Sequence, residues 1–110
     1  MNQRNDEQKI ILLIGGAERG EARAQRLLAL RYWRGRGVAQ SNELAAQWME
    51  KAAAQKLVLA ERDLANFYQQ GIGVGRDPDK ALRLYLSAAQ QGDPIAKKYI
   101  QTAAKTRHQK

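Results

Sequence analysis

At 110 residues, with no cysteine and a net charge of +8, the chain has the size of one domain with a modest core and excludes disulfides and thiolate metal sites. Abundant alanine and only two prolines favour helix over sheet. The charge is uneven: residues 19–36 hold Arg19, Arg23, Arg26, Arg31, Arg34 and Arg36 against Glu21, and residues 97–110 hold five basic residues and no acid, which points to acidic partners or nucleic acid at those two places.

Residues 1–7 are expected to form a flexible N-terminus. A helix over about 8–18 follows, containing the apolar run "IILLIGGA" (10–17). That run is too short to cross a membrane. Asp6 and Glu7 stand where a secretory signal would be basic, so a cytoplasmic protein is expected. Ile10 to Ile14 cannot all face one side of a helix. Ile10, Ile11 and Ile14 are therefore assigned to a self-association surface or a partner surface. The other reading is that residues 1–7 fold back as a cap.

The next helix, about 22–34, carries Ala24, Leu28 and Tyr32 at a spacing of four, a stripe suited to a core. "RGRGV" (34–38) ends it. Gly35 suits a left-handed C-terminal cap and Gly37 a tight turn. A phosphate-binding loop would instead follow a strand and finish in Lys-Ser or Lys-Thr. Ser41 suits the N-cap of a helix over about 42–54, whose inner stripe is Ala45, Trp48, Met49 and Ala52. A helix over about 58–70 then ends at Gly71 and Gly73. Asp77 caps the next, about 78–90, with Pro78 at its first position, where a missing N–H does no harm. A last helix is expected over about 94–106, before a basic tail at 107–110.

These elements recur every 36 residues, and repeats of this length mark a solenoid of stacked helix pairs. The shift aligns Leu28, Leu64 and Ile100, then Tyr32 with Tyr68, Gly35 with Gly71, Gly37 with Gly73, and the pair Ala52–Ala53 with Ala88–Ala89. The best unit reads "FYQQGIGVGRDPDKALRLYLSAAQQGD" (67–93). It resembles the Sel-one-like (Sel1) repeat, a relative of the tetratricopeptide repeat, over about residues 9–104. The resemblance implies an all-α, right-handed α-α superhelix: two full repeats with half-repeats at both ends, in one domain spanning residues 8–106. Two features depart from the family pattern. Ala29 and Ala65 replace a glycine, which is expected to widen helix spacing slightly. Lys56 stands where Gly20 and Gly92 keep the inter-repeat glycine, which is expected to alter one turn.

Catalysis finds no support in the residues. The single histidine, His108, is the third residue from the end, and no His, Cys or acidic cluster has metal-ligand spacing; no cofactor is expected. Asp77 and Asp79 read as helix-start chemistry.

Binding is better supported. Opposite the core stripe, the first helix presents Arg23, Arg26, Leu30, Trp33 and Arg34. The next presents Leu59, Arg62, Asn66, Gln69 and Gln70, and the last Ile95, Lys98, Thr102, Lys105 and Thr106. The column Arg26–Arg62–Lys98 is basic in all three helices. In the proteins this chain resembles, that face lines a concave groove, and the basic column resembles the carboxylate clamps of tetratricopeptide domains. Guanidinium groups suit carboxylates through paired, charge-assisted hydrogen bonds. Trp33 is either an apolar anchor for a partner or packed against the chain itself, whereas Trp48 is expected in the core.

A non-catalytic protein-binding adaptor is thus the leading expectation, taking an acidic or carboxylate-terminated segment. The resemblance adds bacterial regulatory or immunity proteins as roles. The alternatives are nucleic-acid binding through the basic blocks, limited by the lack of stacking aromatics, and a homodimer through the apolar N-terminal helix.

Overall fold

The computed structural model describes the backbone of residues 3–108 and the side chains of residues 5–106. It contains α1 (Gln3–Glu18), α2 (Ala22–Arg34), α3 (Asn42–Ala54), α4 (Val58–Gln70), α5 (Pro78–Gln90) and α6 (Pro94–His108), with no strand among the described residues. The four interior helices begin and end where the spacing predicts. Residues 3–7 differ: they neither hang free nor fold back, but extend α1 by more than a turn. An ion pair of 3.6 Å from Arg36 to Asp6 ties that extension to the turn after α2. Arg107 and His108 end α6, and the rest of the expected tail lies outside the described residues.

The same local chemistry closes both full repeats. Gly35 and Gly71 take left-handed conformations, φ 66° and 75°, as a C-terminal cap requires. Ser41 accepts from Leu44 N and Asp77 from Lys80 N, each at 3.1 Å. Across each turn, Ser41 N donates to Tyr32 O and Asp77 N to Tyr68 O, both at 2.9 Å. The same backbone closure thus follows from turns, 33–41 and 69–77, that share only two glycines and a valine and differ in the capping residue.

Alanine sets how near the helices come. Ala29, Ala45, Ala52, Ala60, Ala65 and Ala88 are fully buried, and Ala29 and Ala65 sit inside the packed layers despite replacing the expected glycine. Larger side chains fill the remaining space. Met49, Leu64 and Phe67 share the central cluster, Ile10 and Leu28 the one under α1, and Tyr85 the one near α6. Trp48 is half-buried and bridges the first two clusters. The molecule is elongated, 53 × 25 × 23 Å, with α2, α4 and α6 successive in one layer and α1, α3 and α5 in the other.

Lys56 does not alter its turn. It adopts φ 67°, the left-handed region that Gly20 and Gly92 occupy at the equivalent places. A residue with a Cβ is strained there by about 1–2 kcal/mol, while glycine returns about 0.4–1 kcal/mol through the freedom of the unfolded chain. Lys56→Gly is therefore expected to stabilise the protein by about 0.5–1 kcal/mol, read as a higher urea midpoint at unchanged slope. A lower midpoint would show that the lysine side chain holds contacts worth more than its strain.

Candidate protein-binding face

The row α2–α4–α6 carries the residues singled out from sequence, but two of its three basic positions are already engaged. Arg26 Nε donates to Asp63 Oδ2 at 2.7 Å. Arg62 Nη1 donates to Asp93 Oδ1 at 3.2 Å, and its Nη2 lies 3.6 Å from Asp63 Oδ1. The result is an alternating ladder, Arg26–Asp63–Arg62–Asp93, running from helix to helix. Its arginines and Asp63 are each under one-fifth exposed. Asp93 is also buried, and its Oδ2 accepts from Ala96 N at 2.8 Å, capping α6. The expected basic column is thus neutral at its centre. Only Lys98 remains exposed and without an ion-pair partner among the described residues.

The other expected positions divide. Arg23 is exposed, without an ion pair among the described residues. Arg34 is also exposed and stacks over Trp33 at 5.8 Å. Trp33 is half-buried and tilts against Phe67 with ring centroids 5.5 Å apart, so it is a packing residue between α2 and α4 rather than a free anchor. Leu30 packs partly against the same cluster. Asn66 accepts from Gln70 Nε2 one turn on. On α1, Ile10 is 7% exposed and Ile14 half-buried, both turned toward α2. They are not available to a second chain; Ile11 and Leu12, at 67% and 73%, are.

Leu59 and Ile95, placed on this face by the sequence but given no role, are exposed on α4 and α6. Other residues were missed in the sequence, among them Leu27, exposed on α2. With Arg23 and Arg26, Leu27 and Leu59 line a cleft of about 230 Å³ between α2 and α4. Glu61 is buried and accepts from Ser87 Oγ at 3.1 Å and Gln91 Nε2 at 2.7 Å. One repeat earlier Gln25 replaces it, with Gln55 Nε2 donating to Gln25 Oε1 at 2.9 Å. The Asp93–Pro94 pair repeats Asp77–Pro78, a signal that would have marked Asp93 as a cap. Asp63 sits beside Arg62 in the sequence, and only the helix-to-helix pairing reveals it as the partner of Arg26.

Two titrations are displaced. The Tyr68 hydroxyl, which accepts from Lys80 Nζ at 3.1 Å, holds the lysine above its ordinary range. Burial raises the Tyr85 hydroxyl, with Tyr99 and Asp63 adding in the same sense. Both groups tie helices together: Tyr68 also donates to Glu50 at 3.1 Å, and Tyr85 stacks on Tyr99 with centroids 4.0 Å apart. Neither lies in a cleft with a nucleophile, and no group of three or more His, Cys, Asp or Glu suited to a metal ion occurs among the described residues.

Stacked helix pairs of one length, sharing one turn chemistry and presenting a mixed apolar and polar face, define a helical-repeat solenoid of the protein-interaction class. Comparison with known proteins identifies the repeat. The Sel1 repeat matches residues 22–57 and 58–93, and the chain belongs to that family. Such repeats generally mediate protein–protein interaction. A crystal structure of a Sel1 repeat protein from Oxalobacter formigenes superposes with a TM-score of 0.86 at 39% identity, over 89% of this chain and 28% of that one. A protective antigen of uropathogenic Escherichia coli gives 0.76 at 33%, over 79% and 19%. Helicobacter pylori cysteine rich protein B shares the fold, 0.78 at 22% identity, over 90% and 72%. Among curated proteins, chitin synthase regulatory factor 3 of Schizosaccharomyces pombe is 41% identical over 64 residues, 58% of this chain and 7% of that protein. The chain therefore spans a small part of that relative and under a third of the first two structures.

Proposed function

We propose that the protein is a non-catalytic adaptor whose α2–α4–α6 face binds a segment of a partner protein carrying apolar side chains with acidic groups beside them. The supporting observation is the exposed apolar row Leu27, Leu59 and Ile95, flanked by the exposed Arg23 and Lys98. Exposed apolar residues grouped on one face mark interaction surfaces more often than chance, and the free cations supply charge-assisted bonds to carboxylates. The engaged Arg26 and Arg62 hold the face together and leave contact to their neighbours. A regulatory role fits this reading and the name of the Schizosaccharomyces pombe relative, and a cytoplasmic location is proposed with it. No helix among the described residues is long and apolar enough to cross a membrane.

Nucleic-acid binding retains the charge in its favour but loses its one stacking candidate, since Trp33 packs on Phe67 and single-strand binders present several free aromatic faces.

The test is affinity capture from nuclease-treated lysate of the native host, read by mass spectrometry, with Arg23→Glu and Leu59→Glu beside the wild type. Both substitutions lie on exposed positions and spare the ion-pair ladder, unlike reversal of Arg26. Loss of one dominant protein in both variants is the expected result. Identical capture by all three would remove this face from the function.

A further inference from the structure

Within the solenoid, α2 lies in the angle between α3 and α4. Ala29 of α2 shares the central cluster with Met49, Ala60 and Phe67, Arg26 pairs with Asp63, and Trp33 rests on Phe67. One repeat earlier the corresponding angle, between α1 and α2, is open. Leu13 and Ala24 stand there for Met49 and Ala60, and a largely apolar cleft of about 390 Å³ lies where the helix would be. Leu12, 73% exposed, forms one wall.

The floor differs from the interior pattern at two places. Leu27 replaces Asp63, and Arg31 replaces Phe67. Arg31 is half-buried, its Nη1 is buried without a hydrogen-bond partner, and no carboxylate pairs with it among the described residues. A guanidinium that lines the cleft, with one nitrogen withdrawn from water and unpaired, calls for an acidic partner. Of the other charged residues lining the cleft, Lys9 adds charge of the same sign, and Glu21 is paired with Arg19 at 3.0 Å.

We infer that this cleft seats an amphipathic helix of a partner protein, lying on α1 and α2 as α2 lies on α3 and α4. Its chemistry follows from the register. The residue at the place of Arg26 meets Leu27 and is apolar. The residue at the place of Trp33, seven positions later and on the same helix face, meets Arg31 and is acidic. This mode, a helix laid in a groove and read at spaced anchors, is a recurrent form of recognition.

A second copy of this chain fits poorly. Among the described residues its α6 packs chiefly on α5, and laid in the cleft in the same register Lys98 would meet Leu27 and Lys105 would meet Arg31. The first would set a cation on an apolar residue and the second would bring two cations together.

The inference rests on the protein-interaction reading above; the seat shares Leu27 with the α2–α4–α6 face, but its test reads Arg31, which lines the cleft and is not among the residues proposed for that face. The probe is a helix-stapled, 13-residue fluorescent peptide on an alanine–glutamine background, with leucine at its fifth position and glutamate at its twelfth. A twin carries lysine at the twelfth. Fluorescence anisotropy against the full 110-residue chain is expected to show the glutamate peptide binding at least about tenfold tighter than its twin, a difference of about 1.4 kcal/mol. Arg31→Met in the protein should abolish that preference, while Arg34→Met, on an exposed position outside the cleft, should preserve it. Circular dichroism checks that both variants fold. If Arg31→Met misfolds, the two peptides on the wild-type chain still decide. Equal binding of the two, no binding of either, or a preference that survives Arg31→Met in a folded protein overturns the seat. So does a dimer of the chain alone that the glutamate peptide dissociates, which would give the cleft to a second copy. Should the peptides fail while lysate capture still depends on Arg23 and Leu59, only the seat falls. The converse result removes the α2–α4–α6 face alone.

Discussion

Gly73→Ala is expected to destabilise the protein by about 3 kcal/mol or more, while the same change at Gly37, its counterpart in the other repeat, has an effect of only about 1 kcal/mol. Both glycines take left-handed conformations, φ 68° and 81°, so the strain of a Cβ in that region is common to the two. The surroundings separate them. A Cβ on Gly73 would overlap the carbonyl of Asn42 at the start of α3, and this is backbone fixed by the first turn of a helix. A Cβ on Gly37 would meet Arg31 Nη1 at 3.5 Å and Ile10 Cβ at 3.7 Å, ordinary contacts that side chains accommodate. The interior turn must lie hard against the preceding repeat, whereas the first full repeat has α1 there with room to spare. Gly75, with no atom within 4 Å of an added Cβ, is the control, and alanine there should be neutral or slightly stabilising. Urea unfolding of the three variants supplies the measurement. Equal losses at Gly37 and Gly73 would mean that the two turns pack alike, and the account of the repeat junction would be wrong.

That contrast also marks how far the sequence could be read. The 36-residue echo places the interior helices, caps and turns because each depends on residues near in the chain: Ser41 with Leu44, Asp77 with Lys80, glycine at the left-handed positions. The extension of α1 to Gln3 was missed because "RNDEQK" (4–9) has no apolar periodicity, and its helix is held in part by a contact with Arg36, far along the chain. The site was less legible for a similar reason. Reading one column of each helix at a time finds Arg26, Arg62 and Lys98 in line. It does not find Asp63, which sits one residue round the next helix and reaches back 37 positions. A burial pattern in which Ile10 and Ile14 face inward while Ile11 and Leu12 face out is equally a matter of which side α2 occupies, and five consecutive apolar residues contain no information about that.

Asp63→Asn gives the sharper test of how the face works, because it should lower stability and raise affinity for acidic segments together. The carboxylate lies between Arg26 and Arg62, at 2.7 and 3.6 Å, and all three side chains are under one-fifth exposed. Removing one member of a largely buried ion network leaves the others uncompensated, and a loss of about 2 kcal/mol is expected for a site retaining some solvent. Arg26→Met should have a smaller effect, since Asp63 keeps Arg62. In the Asp63→Asn background, Arg26→Met should have almost none, or relieve the repulsion between the two cations. A double-mutant cycle measures that coupling; strict additivity of the two losses would show the ladder to be a row of independent contacts. On the binding side, Asp63→Asn frees the Arg26 guanidinium beside Leu27 and Leu59, while Arg62 keeps Asp93, so a carboxylate-bearing peptide held on this face should bind more tightly and with a steeper dependence on salt. The wild-type arrangement has the opposite bias. On the proposed reading, a face with its centre neutralised from within and its free cations, Arg23 and Lys98, on separate helices should attract a polyanion weakly and favour a segment that brings apolar side chains to the middle and acids to the edges. Asp63→Asn should then narrow the difference between peptide and nucleic-acid binding.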